Sequence, residues 1–164
     1  MAKGSGNTRG YSSYMKVHTD EEYYDLSKKY RSEALSNAET LKNNPKNIPV
    51  SKGIKGIMEI SKSDIKTIVS KNTQDARFNA FKNLLARDIE GFISKARYEG
   101  WREVIDGKHP ETAFFVYYGR EWKEKAYLCI RKMKETGKYK PYAIINQHQF
   151  EKEKQSLRKD NPPE

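Results

Sequence analysis

Residues 113–146, AFFVYYGREWKEKAYLCIRKMKETGKYKPYAIIN, decide the fold. The stretch holds three short runs rich in aromatic and branched aliphatic residues, with polar turns between them. AFFVYYG (113–119) reads as a strand, because such side chains suit a pleated, half-buried surface. AYLCIRKM (126–133) reads as a second, with Tyr127, Cys129 and Arg131 alternating against Leu128 and Ile130. PYAIIN (141–146) reads as a third, and its Pro141 suits the start of a strand. Short turns at GREWKEK and around Gly137 predict an antiparallel meander.

Upstream, apolar residues recur at Phe78, Phe81, Leu85, Ile89, Phe92 and Ala96, in steps of three and four, which predicts a helix. Helices are expected over 64–71, capped by Ser61 or Ser63, and over 74–98, capped by Thr73. Tyr98, Trp101, Val104 and Ile105 extend the second past Gly100, until Asp106, Gly107 and Pro110 break it. KGIKGIMEIS (52–61) has the length and glycine content of a short strand. Further upstream, Thr19 and Glu22 form a capping box. Tyr23, Leu26, Tyr30, Ala34, Ala38 and Leu41 then make one helical face. Asn43, Asn44 and Pro45 end that helix.

The expected organisation is a flexible arm over 1–18, an N-terminal helix and linker over 19–51, a folded domain over 52–150 and a charged tail over 151–164. The fold class is α+β, with helices packed on a three- to four-stranded antiparallel sheet and preceded by the N-terminal helix. One sheet face is buried on the Phe78–Phe92 stripe and the other is free to bind a partner.

Composition narrows the function. A length of 164 residues suits one core, and no run approaches the ~20 apolar residues of a membrane span. MAKGSGNTRG has no apolar core, so no classical signal peptide is expected. A single cysteine, Cys129, excludes an intramolecular disulfide and a cysteine zinc cluster. Mid-strand among apolar residues, it reads as packing. The net charge is +10, and residues 52–150 carry 20 Lys/Arg against 12 Asp/Glu. A basic excess in the folded part favours a polyanionic partner, RNA or DNA before an anionic membrane. Lys82, Arg87, Lys95 and Arg97 read as a solvated helix face.

The sequence has no P-loop, GxGxxG, HExxH or GxSxG, and its three histidines lack metal-ligand spacing. No metal or other cofactor is expected. The remaining groups suit metal-free phosphodiester cleavage, which needs a base, an acid and cations on the phosphorane. His109 precedes the first meander strand and His148 follows the last. Arg120, Arg131 and Lys134 supply cations. Tyr117, Tyr118, Tyr139 and Tyr142 supply stacking planes or hydroxyls. Each also has a plainer reading: an exposed imidazole, an exposed cation, or, for Tyr117, sheet packing.

The segments ISKSDIKTIVS (60–70), DIEGFISKARYEG (88–100) and AFFVYYGREWKEKAYLCIRKMKETGKYKPYAI (113–144) together resemble the barnase/RelE/colicin-type nuclease superfamily, in its phage and large-polyvalent-protein-associated branch. The likeness spans roughly residues 52–148. It is one of layout and hydrophobic pattern, without a catalytic string. It implies a metal-independent RNase acting as a toxin or effector in a cytoplasm, delivered by phage or specialised secretion and restrained by an immunity or antitoxin protein. His109, Thr112 and Arg131 lie where that family keeps its working sheet residues. The expected site has His109 in proton transfer and Arg131 on the phosphorane, assisted by Thr112, Tyr142 or His148. Arg120, Lys134, Tyr117 and Tyr139 hold the RNA. The alternative is a non-catalytic nucleic-acid-binding or phage structural accessory module using the same basic sheet.

Overall fold

A computed structural model describes residues 18–162. In chain order the elements are α1 (Asp20–Ala38), β1 (Lys46–Lys52), β2 (Ile54–Ile60), α2 (Lys62–Ser70), α3 (Ala76–Ala86), α4 (Ile89–Lys95), β3 (Arg97–Glu103), β4 (Glu111–Gly119), β5 (Glu124–Lys132), β6 (Tyr139–Ile145) and α5 (Gln147–Glu153). The class is α+β, as the sequence predicts. The sheet is not. It has six strands in the order β1-β2-β6-β5-β4-β3, and the β2–β6 pair is parallel. The expected three- to four-stranded antiparallel sheet is therefore corrected to a six-stranded mixed one. The arm expected over 1–18 lies outside the described residues, His18 apart.

Each unexpected strand has a local cause. The expected linker over 43–51 holds most of β1, which pairs with β2 through a turn at Gly53. Ile48 and Val50 are buried with exposed residues between them, the period of a strand with one buried face. Pro49 is tolerated because β1 is an edge strand. Residues 97–103 form β3 rather than more helix. A bulge between Tyr98 and Gly100 inserts an extra residue, so Tyr98 and Trp101 both turn towards the helix-covered face. A spacing of three thus mimics a helical stripe. The tail also folds back. The Trp101 and Arg158 backbones exchange hydrogen bonds of 2.9 and 2.8 Å along the free edge of β3.

The expected helix over 74–98 is two helices. Asp75, not Thr73, caps α3, its carboxylate accepting from Phe78 N at 3.1 Å. Asp88 interrupts the run by capping α4, accepting from Gly91 N at 2.9 Å. Three capping boxes, Thr19 with Glu22, Ser61 with Asp64 and Asn146 with Gln149, start α1, α2 and α5.

One core lies between the helices and the sheet, joining Phe78, Phe81 and Phe92 to Phe115, Leu128 and Ile130. The opposite face is not wholly open. Phe150 of α5 stacks on Tyr127 with ring centres 3.9 Å apart and meets Phe114 at 5.8 Å. Strands β4 and β5 are buried on both faces, which is why they read as continuous apolar runs.

The sheet curls until its ends meet. Lys52 at the hairpin tip donates to the carbonyls of Ile93, Ser94 and Ala96 at 3.1, 2.6 and 3.0 Å, closing the end of α4. Gly53, at φ +73°, lies under the Tyr98 ring, where a Cβ would come within 2.0 Å. Gly53→Ala therefore destabilises the fold by more than about 1 kcal/mol, measured by urea melting. A neutral substitution would show that the curl is loose.

Lys82 is not part of a solvated face. It is 1% exposed, and its ammonium donates to the Lys71 carbonyl. Burial, with repulsion from Lys71 and Arg31, pulls its pKa from 10.5 to about 8. Between those values the unfolded chain binds more protons than the native one, so this group's contribution to stability rises with pH. Across pH 8 to 10.5, wild type should gain stability relative to Lys82→Met in urea melts. A constant difference would mean that Lys82 titrates as an ordinary lysine.

Candidate nucleic-acid interface

Thr112 on β4 and Arg131 on β5 are direct cross-strand partners. Tyr142 lies in β6 at a bulge, where the register shifts between Cys129 and Ile130. The Arg131 guanidinium lies over the Tyr142 ring, 3.9 Å from its centre. Lys71, which ends α2, joins them. Its ammonium sits 5.0 Å from the same ring centre and donates to the Tyr142 carbonyl at 2.9 Å. Strand β6 pairs with β2 only at Tyr139–Met58, and α2 packs against β6. That packing brings Lys71 to the tyrosine.

The charges around this cluster divide into paired and unpaired. Arg102 on β3 meets Glu153 of α5 at 2.8 Å. Lys140 meets Asp64 at 3.0 Å and Glu59 at 3.4 Å. Among the described residues neither Arg131 nor Lys71 forms an ion pair. Burial and the charge of Arg131 lower the Lys71 pKa. Burial pushes the Tyr142 phenol up to about 12, with the Cys129 side chain adding to the shift and Arg131 opposing it. Burial likewise pushes the Cys129 thiol up to about 12. Both groups keep their protons at neutral pH.

Two polar atoms here are buried without a hydrogen-bond partner among the described residues: Thr112 Oγ1 and Arg131 Nε. Such atoms are uncommon in native interiors and costly. Thr112→Val keeps the side-chain shape and removes the orphan hydroxyl, so it should raise stability by about 1 kcal/mol in a urea melt. A loss of stability would mean that the hydroxyl has a partner.

The other expected site residues lie elsewhere. His109 sits in the loop before β4, with its Nδ1 and backbone N–H each 2.7 Å from the Asp106 carboxylate. The hydrogen bonds from His109 hold the Asp106 pKa well below the usual carboxylate range. Lys134 is at the same end of the sheet, its backbone N–H donating to the Lys108 carbonyl at 3.0 Å. His148 is exposed on the first turn of α5. Arg120 is exposed beyond the far end of β4, which puts it ~23 Å or more along the strand from Thr112.

Two tyrosines face the other way. Tyr117 packs into the helix-side core, 6.5 Å from Phe81 and 5.9 Å from Phe92 between ring centres. Tyr139 is buried on that same side, and its hydroxyl donates to the buried Glu111 carboxylate at 2.5 Å. Lys132 stands 3.9 Å from Glu111. Burial first, and then the hydrogen bond to Glu111 and its charge, raise the Tyr139 pKa above its ordinary value. A cavity of about 560 Å³ inside the curl reaches Tyr139 and Lys132.

Lys71, Arg102 and Glu153 belong to this face and were not found from the sequence. Lys71 had only a weak signal, as a cation at the end of a short helix. Among the described residues no group of three or more His, Cys, Asp or Glu is placed to hold a metal ion. No helix of the described residues is long and apolar enough to cross a membrane. No protein family, curated protein or solved structure matches this chain.

Proposed function

We propose that this protein binds single-stranded RNA at the Arg131–Tyr142–Lys71 end of its sheet. The observation that carries the reading is two cations on one tyrosine ring, neither of them in an ion pair among the described residues. A guanidinium can take two phosphate oxygens at once. The guanidinium plane, held against the Tyr142 ring, is itself a surface on which an unstacked base can lie, a common way in which proteins engage single-stranded RNA. The chain's charge of +10 adds a long-range attraction for the same partner.

Binding fits this cluster better than cleavage. Tyr142 and Cys129 hold their protons, and among the described residues no hydrogen bond joins His109, which meets Asp106 in the loop before β4, to Arg131, Tyr142 or Lys71. Transfer of a proton from a ribose hydroxyl needs an acceptor near neutral pH. RNA kept with the protein in EDTA should therefore be recovered intact, and discrete fragments would make this face an active site.

The test is fluorescence anisotropy with labelled octaadenylate at several salt concentrations. Affinity should fall steeply with salt, as cations displace counterions from phosphates. Arg131→Gln should weaken binding by about tenfold or more and lower the slope of log affinity against log salt by about one. Salt-independent binding, or a variant that binds as wild type does, would overturn the reading.

A further inference from the structure

A groove of about 330 Å³ lies between α1 and the loop joining α2 to α3. Its charged lining is Lys28 and Arg31, and no carboxylate lines it. Of the two acids that flank the lining in sequence, Asp75 is turned to the start of α3 and Asp25, beside Tyr24, forms no ion pair among the described residues. Among the described residues neither Lys28 nor Arg31 forms an ion pair. Buried Lys82 stands close enough to Arg31 to feel its charge. The groove is thus a second positive surface with nothing in its lining to neutralise it.

Its polar groups are built in. Asn83 lines the groove at 1% exposure. Its Nδ2 donates to the Ser27 carbonyl at 3.0 Å and to Ser27 Oγ at 2.9 Å. That leaves Oδ1 with no partner among the described residues. A buried carbonyl of this kind calls for a donor, such as a ribose hydroxyl or a base amino group. Asn79 fixes the loop beside it. Its Oδ1 accepts from Thr73 N and Oγ1 at 2.9 and 3.0 Å, and its Nδ2 donates to the Thr73 carbonyl at 2.9 Å. Asn72 and Gln74, the exposed neighbours of the anchored Thr73, line the groove on either side of it. At the rim Tyr24 is 57% exposed, with the Lys28 ammonium 4.4 Å from its ring centre.

The groove adjoins the sheet cluster. Lys71, which binds the Tyr142 carbonyl, directly precedes Asn72 in the lining. The Lys82 ammonium donates to the carbonyl of that same Lys71. A positive path runs from Arg131 through Lys71 to Arg31 and Lys28.

Resting on the RNA-binding reading above, we propose that this groove is a second nucleotide subsite on the same track. The strand that meets Arg131 and Tyr142 continues past Lys71 and places a base on Tyr24 and a phosphate between Lys28 and Arg31. Asn72, Gln74 and Asn83 present hydrogen-bonding groups to the nucleotide between them.

Tyr24 and Arg31 are both exposed, so Tyr24→Leu and Arg31→Gln can be made without opening the core, and thermal melts verify their folding. Anisotropy with labelled octaadenylate is measured for wild type, both groove variants and Arg131→Gln. Tyr24→Leu should weaken binding by about tenfold, the scale of one lost base–aromatic stack. Arg31→Gln should lower the salt slope by about one. Two folded groove variants that bind as wild type does would overturn the subsite while leaving the Arg131 reading standing. A loss in the groove variants with none in Arg131→Gln would sustain the groove and remove the sheet site. Failure of wild type to bind would end both.

Discussion

The parallel contact between β2 and β6 governs the rest of the molecule. Without it the chain is a four-stranded meander, β6-β5-β4-β3, beside a separate β1–β2 hairpin. The contact is narrow, a single registered pair between Met58 and Tyr139, and both side chains are buried. It is reinforced from the side, where Lys140 of β6 meets Glu59 of β2 and Asp64 at the start of α2. A parallel neighbour must be reached by a long crossover. Here the crossover runs through α2, α3, α4 and the whole meander. It seats α2 against β6 and brings Lys71 to Tyr142, so the joint that widens the sheet also assembles the proposed interface.

That interface is defined by what its charges lack. Surface cations on this protein commonly find acids, as Arg87 does with Glu33 at 2.7 Å and Arg158 with Glu103 at 3.0 Å. Such exposed pairs contribute little to stability. Arg131 and Lys71 instead share one ring and repel each other, and the lowered pKa of Lys71 records that repulsion together with burial. Like charges held together at a partly buried position work against folding, and an anion seated between them relieves the cost. The orphaned Thr112 Oγ1 beside Arg131 adds to the same local deficit. Stability given up at one spot is characteristic of sites shaped for a ligand.

Local signals in the sequence were read well where the physics is local. The box at Thr19–Glu22 depends on residues three apart and forms as expected, and of the two expected caps Ser61 and Ser63 it is Ser61 that starts α2. The meander strands were legible because their runs are aromatic and branched. Strand β1 was hidden by Pro45, Pro49 and its polar surroundings, and only pairing with β2 stabilises it. Strand β3 was hidden by its bulge, which gives Tyr98 and Trp101 a helix-like spacing. In the candidate site Arg131 and Tyr142 are legible as polar residues on expected strands, whereas Thr112, just outside the first expected strand, is named only by the resemblance and lies within β4. Tyr117 and Tyr139, expected as RNA contacts, face the helix-side core, a placement that runs buried on both faces do not reveal because the alternation has no polar face to orient it. Lys71 reaches Tyr142 across 71 residues, a contact that periodicity cannot register.

RNA is proposed to meet the protein at Arg131, Tyr142 and Lys71. The most direct measurement is a backbone-amide NMR titration of the full chain with unlabelled octaadenylate. Saturable shifts concentrated on residues around 71, 131 and 142 are the predicted result. Shifts confined to the cavity beside Tyr139 and Glu111, or to the Arg120 end of the sheet, would contradict it.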